Sequence, residues 1–154
     1  MAASTSEPMP DDRLYPARPI LAASVAVWRE GRVLIATRAR PPLEGVWSLP
    51  GGVVEPGETL AEAALRELRE EVAVEARIVG FNRHVEVIER DGQGRVRTHF
   101  VVASFVARWI AGEGRPGPEA GAVAWVDPEA LGARPTTREL PEVLRAARRI
   151  WEAA

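Results

Sequence analysis

Glu67, Glu70 and Glu71 place three negative charges on one patch of a short helical segment, an arrangement that is destabilising unless a cation compensates it. They stand at i, i+3 and i+4 in the run LAEAALRELREEV, and Ala61, Ala64, Leu65, Leu68 and Val72 form the apolar stripe beside them. A hard divalent ion held by several carboxylate oxygens is the natural counter-charge. Thr59 and Glu62 have the spacing of a capping box, which starts the helix at Leu60. Upstream, Pro50-Gly51-Gly52 is expected to form a turn whose glycines take backbone angles closed to other residues and let carbonyl groups approach a ligand. Glu55-Pro56-Gly57-Glu58 has the Pro-Gly pair of a type II turn. Arg66 adjoins the acidic patch and can orient a carboxylate through a forked hydrogen bond. Alone, such a helix reads as a solvated acidic face paired with Arg66 and Arg69; the loop before it reverses that reading.

Counted from Gly52, the chain has five residues, Glu58, seven residues, then Arg66-Glu67-Leu68-Arg69-Glu70-Glu71. This closely resembles the signature of the Nudix hydrolase family, G-x5-E-x7-R-E-U-x-E-E-x-G-U with U aliphatic, and every Gly, Glu and Arg position up to Glu71 matches. The one departure is Ala73, where the pattern has glycine. At a helix exit a residue with a Cβ costs roughly 1 kcal/mol or more if it must turn left-handed; alanine could instead let the helix run on or leave by another turn.

The resemblance implies an α/β fold with a mixed β-sheet sandwiched between α-helices, and hydrolysis of a nucleoside diphosphate linked to another moiety. It implies Mg2+ or Mn2+ held by Glu67, Glu70 and Glu71 with the Gly51 carbonyl, while Arg66 and Glu58 brace helix and loop. One of Glu67, Glu70, Glu71 or Glu119 would accept the proton of the attacking water. Glu119 enters because several family members draw a further carboxylate from the loop at this point in the chain, although a solvated loop residue is its commoner role. The runs ARPPLEGVWSLPGG and AVAWVDPEAL look most like small bacterial members assigned as ADP-ribose pyrophosphatases, which implies cleavage of ADP-ribose to AMP and ribose 5-phosphate. The alternatives are a nucleoside triphosphate pyrophosphatase of the MutT kind and a non-hydrolysing nucleotide-sugar sensor. The intact glutamates argue against the sensor. Family members are often homodimers, so a homodimer is possible here.

A length of 154 residues and 46% hydrophobic composition suit a single domain, expected over residues 20–154 behind a flexible tail, residues 1–19. A net charge of -2 offers no basic footprint for nucleic acid. The absence of cysteine excludes disulfides, thiolate metal sites and cysteine nucleophiles, and fits a cytoplasmic protein. The absence of lysine excludes Schiff-base chemistry. No run approaches the roughly eighteen apolar residues that cross a membrane.

Strands are expected at Ile20 to Trp28 and Arg32 to Thr37 around a Glu30-Gly31 turn, then a proline-interrupted loop leading to Val46-Trp47-Ser48-Leu49. Arg38 and Arg40, just upstream of the acidic site, are candidates for phosphate oxygens or ordinary surface arginines. Trp47 is a candidate substrate contact, though a wall of the core is its commoner role. A long hairpin is expected from Ala73 to Ile88 and Val96 to Trp109 about Asp91-Gly92-Gln93-Gly94, with His84 and His99 as packed or surface residues rather than ligands. There follow a Gly- and Pro-rich loop from Gly112 to Gly121, a strand from Ala122 to Asp127 and a helical turn from Pro128 to Leu131. The last helix starts near Thr136 or Thr137, with Leu140, Val143, Leu144, Ala147 and Ile150 or Trp151 facing the sheet opposite the acidic helix.

Overall fold

The structure, a computed structural model, describes residues 12–39 and 44–154. Its centre is β1 (Ile20–Arg29), whose side chains alternate between two cores: Ala23, Val25 and Val27 face one, Ala26 and Trp28 the other. β2 (Arg32–Arg38) repeats the pattern, with Leu34 and Ala36 in the first core and Val33 and Ile35 in the second. Both strands are therefore apolar at nearly every position, as a sheet covered on both faces requires.

β1 and β2 pair only at their joint, Trp28 with Val33 and Arg29 with Arg32, and then part company. The gap between them is filled by β3 (Trp47–Ser48), paired with β2, and β4 (Gly51–Val53), paired with β1. This corrects the expected Pro50-Gly51-Gly52 turn. Gly51 and Gly52 lie in an extended strand opposite Ser24 and Ala23, and neither has a positive φ. They are glycines for want of room. A methyl group on Gly51 would collide with the Ala23 carbonyl, and one on Gly52 would lie 2.7 Å from both oxygens of Glu67. Gly57, at φ +89°, does occupy the turn position expected of it.

The helix α1 (Leu60–Val72) starts as its sequence directs: the Glu62 N–H donates to Thr59 Oγ1 at 3.1 Å and Thr59 Oγ1 to Glu62 Oε1 at 3.0 Å. Ala64, Leu68 and Val72 are buried in the first core together with Ala63, and Ala61 and Leu65 pack against it. The helix ends at Ala73, which adopts the left-handed conformation (φ 57°, ψ 40°) and donates its N–H to the Arg69 carbonyl. Alanine thus takes the very geometry for which glycine is suited.

β5 (Glu75–Arg90) and β6 (Val96–Ala111) form the long antiparallel hairpin, and Asp91 builds its turn by accepting the Gln93 and Arg95 N–H groups. β6 pairs with β1 in parallel, which makes the sheet mixed, with strand order β3-β2-β1-β6-β5. β7 (Ala120–Val126) pairs with β2, beginning two residues earlier than expected. Beyond it, residues 128–129 form a turn and no helix: Asp127 accepts the Glu129 N–H on its side chain and the Ala130 N–H on its carbonyl. α2 (Leu140–Ala153) starts later than expected because Pro135 and Thr137 are held by backbone hydrogen bonds to Trp47. Its Leu140, Leu144 and Ala147 fill the second core, with Ile150 and Trp151 packed against it, and Val143 is buried as well. Two helices thus cover opposite faces of the sheet. Of the expected tail, residues 1–11 lie outside the described residues, whereas Tyr15 donates its N–H to the Arg97 carbonyl and its hydroxyl to Asp91. No helix among the described residues is long and apolar enough to cross a membrane.

Replacing Ala73 by glycine removes the steric cost of the left-handed cap but adds freedom to the unfolded chain. The expected net effect is a stabilisation of about 0.5–1 kcal/mol, read as a higher urea midpoint at unchanged slope.

Candidate functional site

The site is organised by Arg66, nearly two turns into α1 and largely covered by its partners. Its Nε and Nη2 grip both oxygens of Glu58 at 2.7 and 2.9 Å, in the forked geometry that only a guanidinium supplies. Nη2 also donates to the Val53 carbonyl at 3.0 Å, and Nη1 to Glu67 Oε1 at 2.8 Å and Glu70 Oε2 at 3.0 Å. All five donors of the side chain are used. One residue therefore joins β4, the Pro56-Gly57 turn and two of the three clustered glutamates. The hydrogen bonds from Arg66, together with the Glu55 N–H, hold the Glu58 carboxyl down at about 2. Arg66 in turn is raised above its ordinary value, chiefly by Glu58.

Glu71 lies on the inner side of the cluster, where Oε2 accepts the Gly51 N–H at 3.4 Å. Burial pushes its carboxyl up to about 8, and the charges of Glu67 and Glu119 act in the same direction. The Gly51 N–H and the Arg38 guanidinium oppose them. So Arg38, at the end of β2, and Glu119, from the loop before β7, both belong electrostatically to the acidic patch. They arrive together because Arg38 pairs with Ala120 across the strands and the Ala39 N–H donates to the Glu119 carbonyl at 3.0 Å.

A second arrangement was not visible in the sequence. The loop 112–119 closes over the end of α1: the Arg115 N–H donates to the Val72 carbonyl at 2.9 Å and the Gly117 N–H to the Glu71 carbonyl at 2.7 Å. These bonds satisfy carbonyls that a helix end leaves open. A methyl group on Gly117 would stand 2.6 Å from the Glu71 carbonyl oxygen and 2.8 Å from that of Glu70. The glycine-proline run GEGRPGP carried the signal, but only the fold shows what it touches.

The remaining candidates are placed elsewhere. Trp47 packs against the second core, with the Arg134 guanidinium 5.5 Å from its ring centroid. Arg40 lies outside the described residues. His84 is exposed beside Glu86, and His99 pairs with Ile88 on the hairpin.

The chain matches the NUDIX domain model over residues 18–147. It belongs to the NUDIX domain family. An ADP-ribose pyrophosphatase of Methanocaldococcus jannaschii is 32% identical over 108 residues, 70% of this chain and 61% of that protein. A CTP pyrophosphohydrolase of Escherichia coli is 39% identical over 69 residues, 44% of this chain and 49% of that protein. The match thus spans about half to two-thirds of the length of these relatives. Among solved structures, a MutT NUDIX hydrolase from Burkholderia pseudomallei superposes with a TM-score of 0.73 at 28% identity, covering 84% of this chain and 98% of that one.

A hard divalent ion requires several oxygen donors whose charge is not already compensated. Among the described residues no three acidic or histidine side chains are gathered into a ready ligand set. Arg66 draws one oxygen each from Glu67 and Glu70, and their other oxygens make no hydrogen bond among the described residues. Those free oxygens, together with Glu71 set against the charges of Glu67 and Glu119, are hard donors short of positive charge, which fits a hard divalent cation. Gly51 presents its N–H to Glu71.

Arg66→Lys keeps the charge but loses the planar fork, and is expected to lower stability by about 1–2 kcal/mol in urea unfolding. Glu71 supplies a pH test. Its carboxyl is raised from 4.5 to about 8 on folding, so its neutral form favours the fold, and that contribution fades as pH rises through the folded value. Without divalent ions, Glu71→Gln should therefore gain on the native protein in melting temperature as pH rises from about 5 to about 8. A difference independent of pH would contradict this.

Proposed function

We propose that the chain is a divalent-metal-dependent hydrolase of the pyrophosphate bond in a nucleoside diphosphate derivative, and that it converts ADP-ribose and water into AMP and ribose 5-phosphate in the cytoplasm. The observation that carries this reading is the half-buried Glu71, within electrostatic reach of Glu67, Glu119 and Arg38. Glu67, Glu70 and Glu71 would hold Mg2+ or Mn2+. Bound there, the ion would neutralise phosphate charge and make water more acidic. The residues of the chain do the rest. Arg66 fixes the orientation of Glu67 and Glu70, Arg38 draws phosphate oxygens towards Glu71, and Glu119 takes the proton from the attacking water. Arg40 is a further candidate for phosphate contact, whereas the packing of Trp47 on the second core favours its role as a wall of that core.

ADP-ribose is supported by the name of the M. jannaschii relative and the 70% of this chain that it matches. A second reading, cleavage of a nucleoside triphosphate to a monophosphate and pyrophosphate, is supported by the E. coli CTP pyrophosphohydrolase. A panel of both substrate classes with Mg2+ and product identification separates them: AMP with ribose 5-phosphate is the expected outcome, and pyrophosphate release from a triphosphate would favour the second reading. Glu71→Gln is expected to lower kcat by at least about 100-fold while the protein stays folded. Full turnover in that variant would refute the metal site.

A further inference from the structure

We propose that Arg29 and Glu113, at the end of β1 and the start of the loop 112–119, form a latch that sets the position of that loop and thereby of Glu119, so that Arg29 and Glu113 are positioning residues for hydrolysis. The inference rests on the reading of Glu119 as the proton-accepting carboxylate.

Arg29 donates from Nη1 and Nη2 to both oxygens of Glu113 at 2.9 and 3.1 Å. Its guanidinium lies 3.9 Å from the Trp109 ring centroid and 5.6 Å from that of Trp125. The same two indoles hold the loop by their edges: Trp109 Nε1 donates to the Gly112 carbonyl at 2.7 Å and Trp125 Nε1 to the Glu113 carbonyl at 2.8 Å. Face and edge of each ring thus bind the arginine and the backbone it secures. From this anchor Gly112 and Gly114, at φ +93° and +86°, direct the chain onto the end of α1, where the Arg115 and Gly117 N–H groups dock. Two residues later comes Glu119, whose carbonyl accepts the Ala39 N–H.

Between the indole anchor and Glu119, two backbone hydrogen bonds tie the loop to α1, and Arg29 to Glu113 is the tie made by a side chain of the loop itself. With that tie removed, the loop keeps only its indole and backbone hydrogen bonds, and is expected to lift more often from the Val72 and Glu71 carbonyls. The fold itself has little need of it. The Glu113 side chain is 81% exposed, and an exposed ion pair adds little to global stability. A small displacement of a reacting group is costly to turnover, however, because catalysis depends on alignment.

The test compares Glu113→Ala and Glu113→Gln in the full chain, alone and combined with Glu119→Gln. Glu113→Ala should leave the melting temperature within about 2 °C and speed amide hydrogen exchange at Arg115 and Gly117 about tenfold. It should lower kcat about tenfold with KM within about twofold, and Glu113→Gln, which keeps one acceptor oxygen, should recover part of the loss. In the Glu119→Gln background, Glu113→Ala should cause no further loss, since both would act through one group. Unchanged exchange overturns the latch whatever the activity. Unchanged kcat, or an equal further loss in the Glu119→Gln background, overturns its catalytic role, as does full turnover by Glu119→Gln alone. If neither substrate class is turned over, the proposed function fails, while the exchange measurement still decides whether the latch holds the loop.

Discussion

The guanidinium of Arg66 is the interaction on which the rest of the site depends. Its five donors reach a strand carbonyl, a turn carboxylate and two helix carboxylates, so the relative placement of β4, the Glu55–Glu58 turn and α1 is set by a single planar group. Without a cation at that point, Glu58, Glu67 and Glu70 would repel one another across the gap between loop and helix. With it, two of them are aligned and their remaining oxygens are left open. Glu71, beyond the reach of Arg66, keeps a high proton affinity, and this division between compensated and uncompensated carboxylates makes the patch chemically distinctive.

A second constraint is the parting of β1 and β2. Because these strands pair only near Trp28 and Val33, the chain from Trp47 to Val53 can enter the sheet, first beside β2 and then beside β1. That brings β4 beneath α1 so closely that Gly52 lies against the Glu67 carboxyl and Gly51 against the backbone of β1. The demand for glycine arises from this packing and not from the backbone angles. The same closeness lets the Gly51 N–H reach Glu71.

Some of this was legible beforehand because the forces involved are local. The Thr59–Glu62 box, the stripe of Ala64, Leu68 and Val72, and the Asp91 turn depend on residues within a few positions of one another, and each formed as its spacing directs. Expectations failed where distant chain segments intervened. Trp47 holds Pro135 and Thr137 out of α2 across almost ninety positions of sequence; the turn at residues 128–129, by contrast, is closed locally by Asp127, which accepts the Glu129 N–H. The loop 112–119 read only as rich in glycine and proline, since nothing within it names α1 as its docking surface.

The sequence by itself determined the chemistry: which carboxylates stand on one helix face, and which arginine lies among them, follow from helical periodicity. Only the tertiary structure decided which of those charges are compensated. Arg38 and Glu119 come within electrostatic reach of Glu71 because β2 and β7 pair and the loop between β6 and β7 caps α1. Burial and through-space charge set the proton affinity of Glu71, and neither quantity exists until the chain has folded.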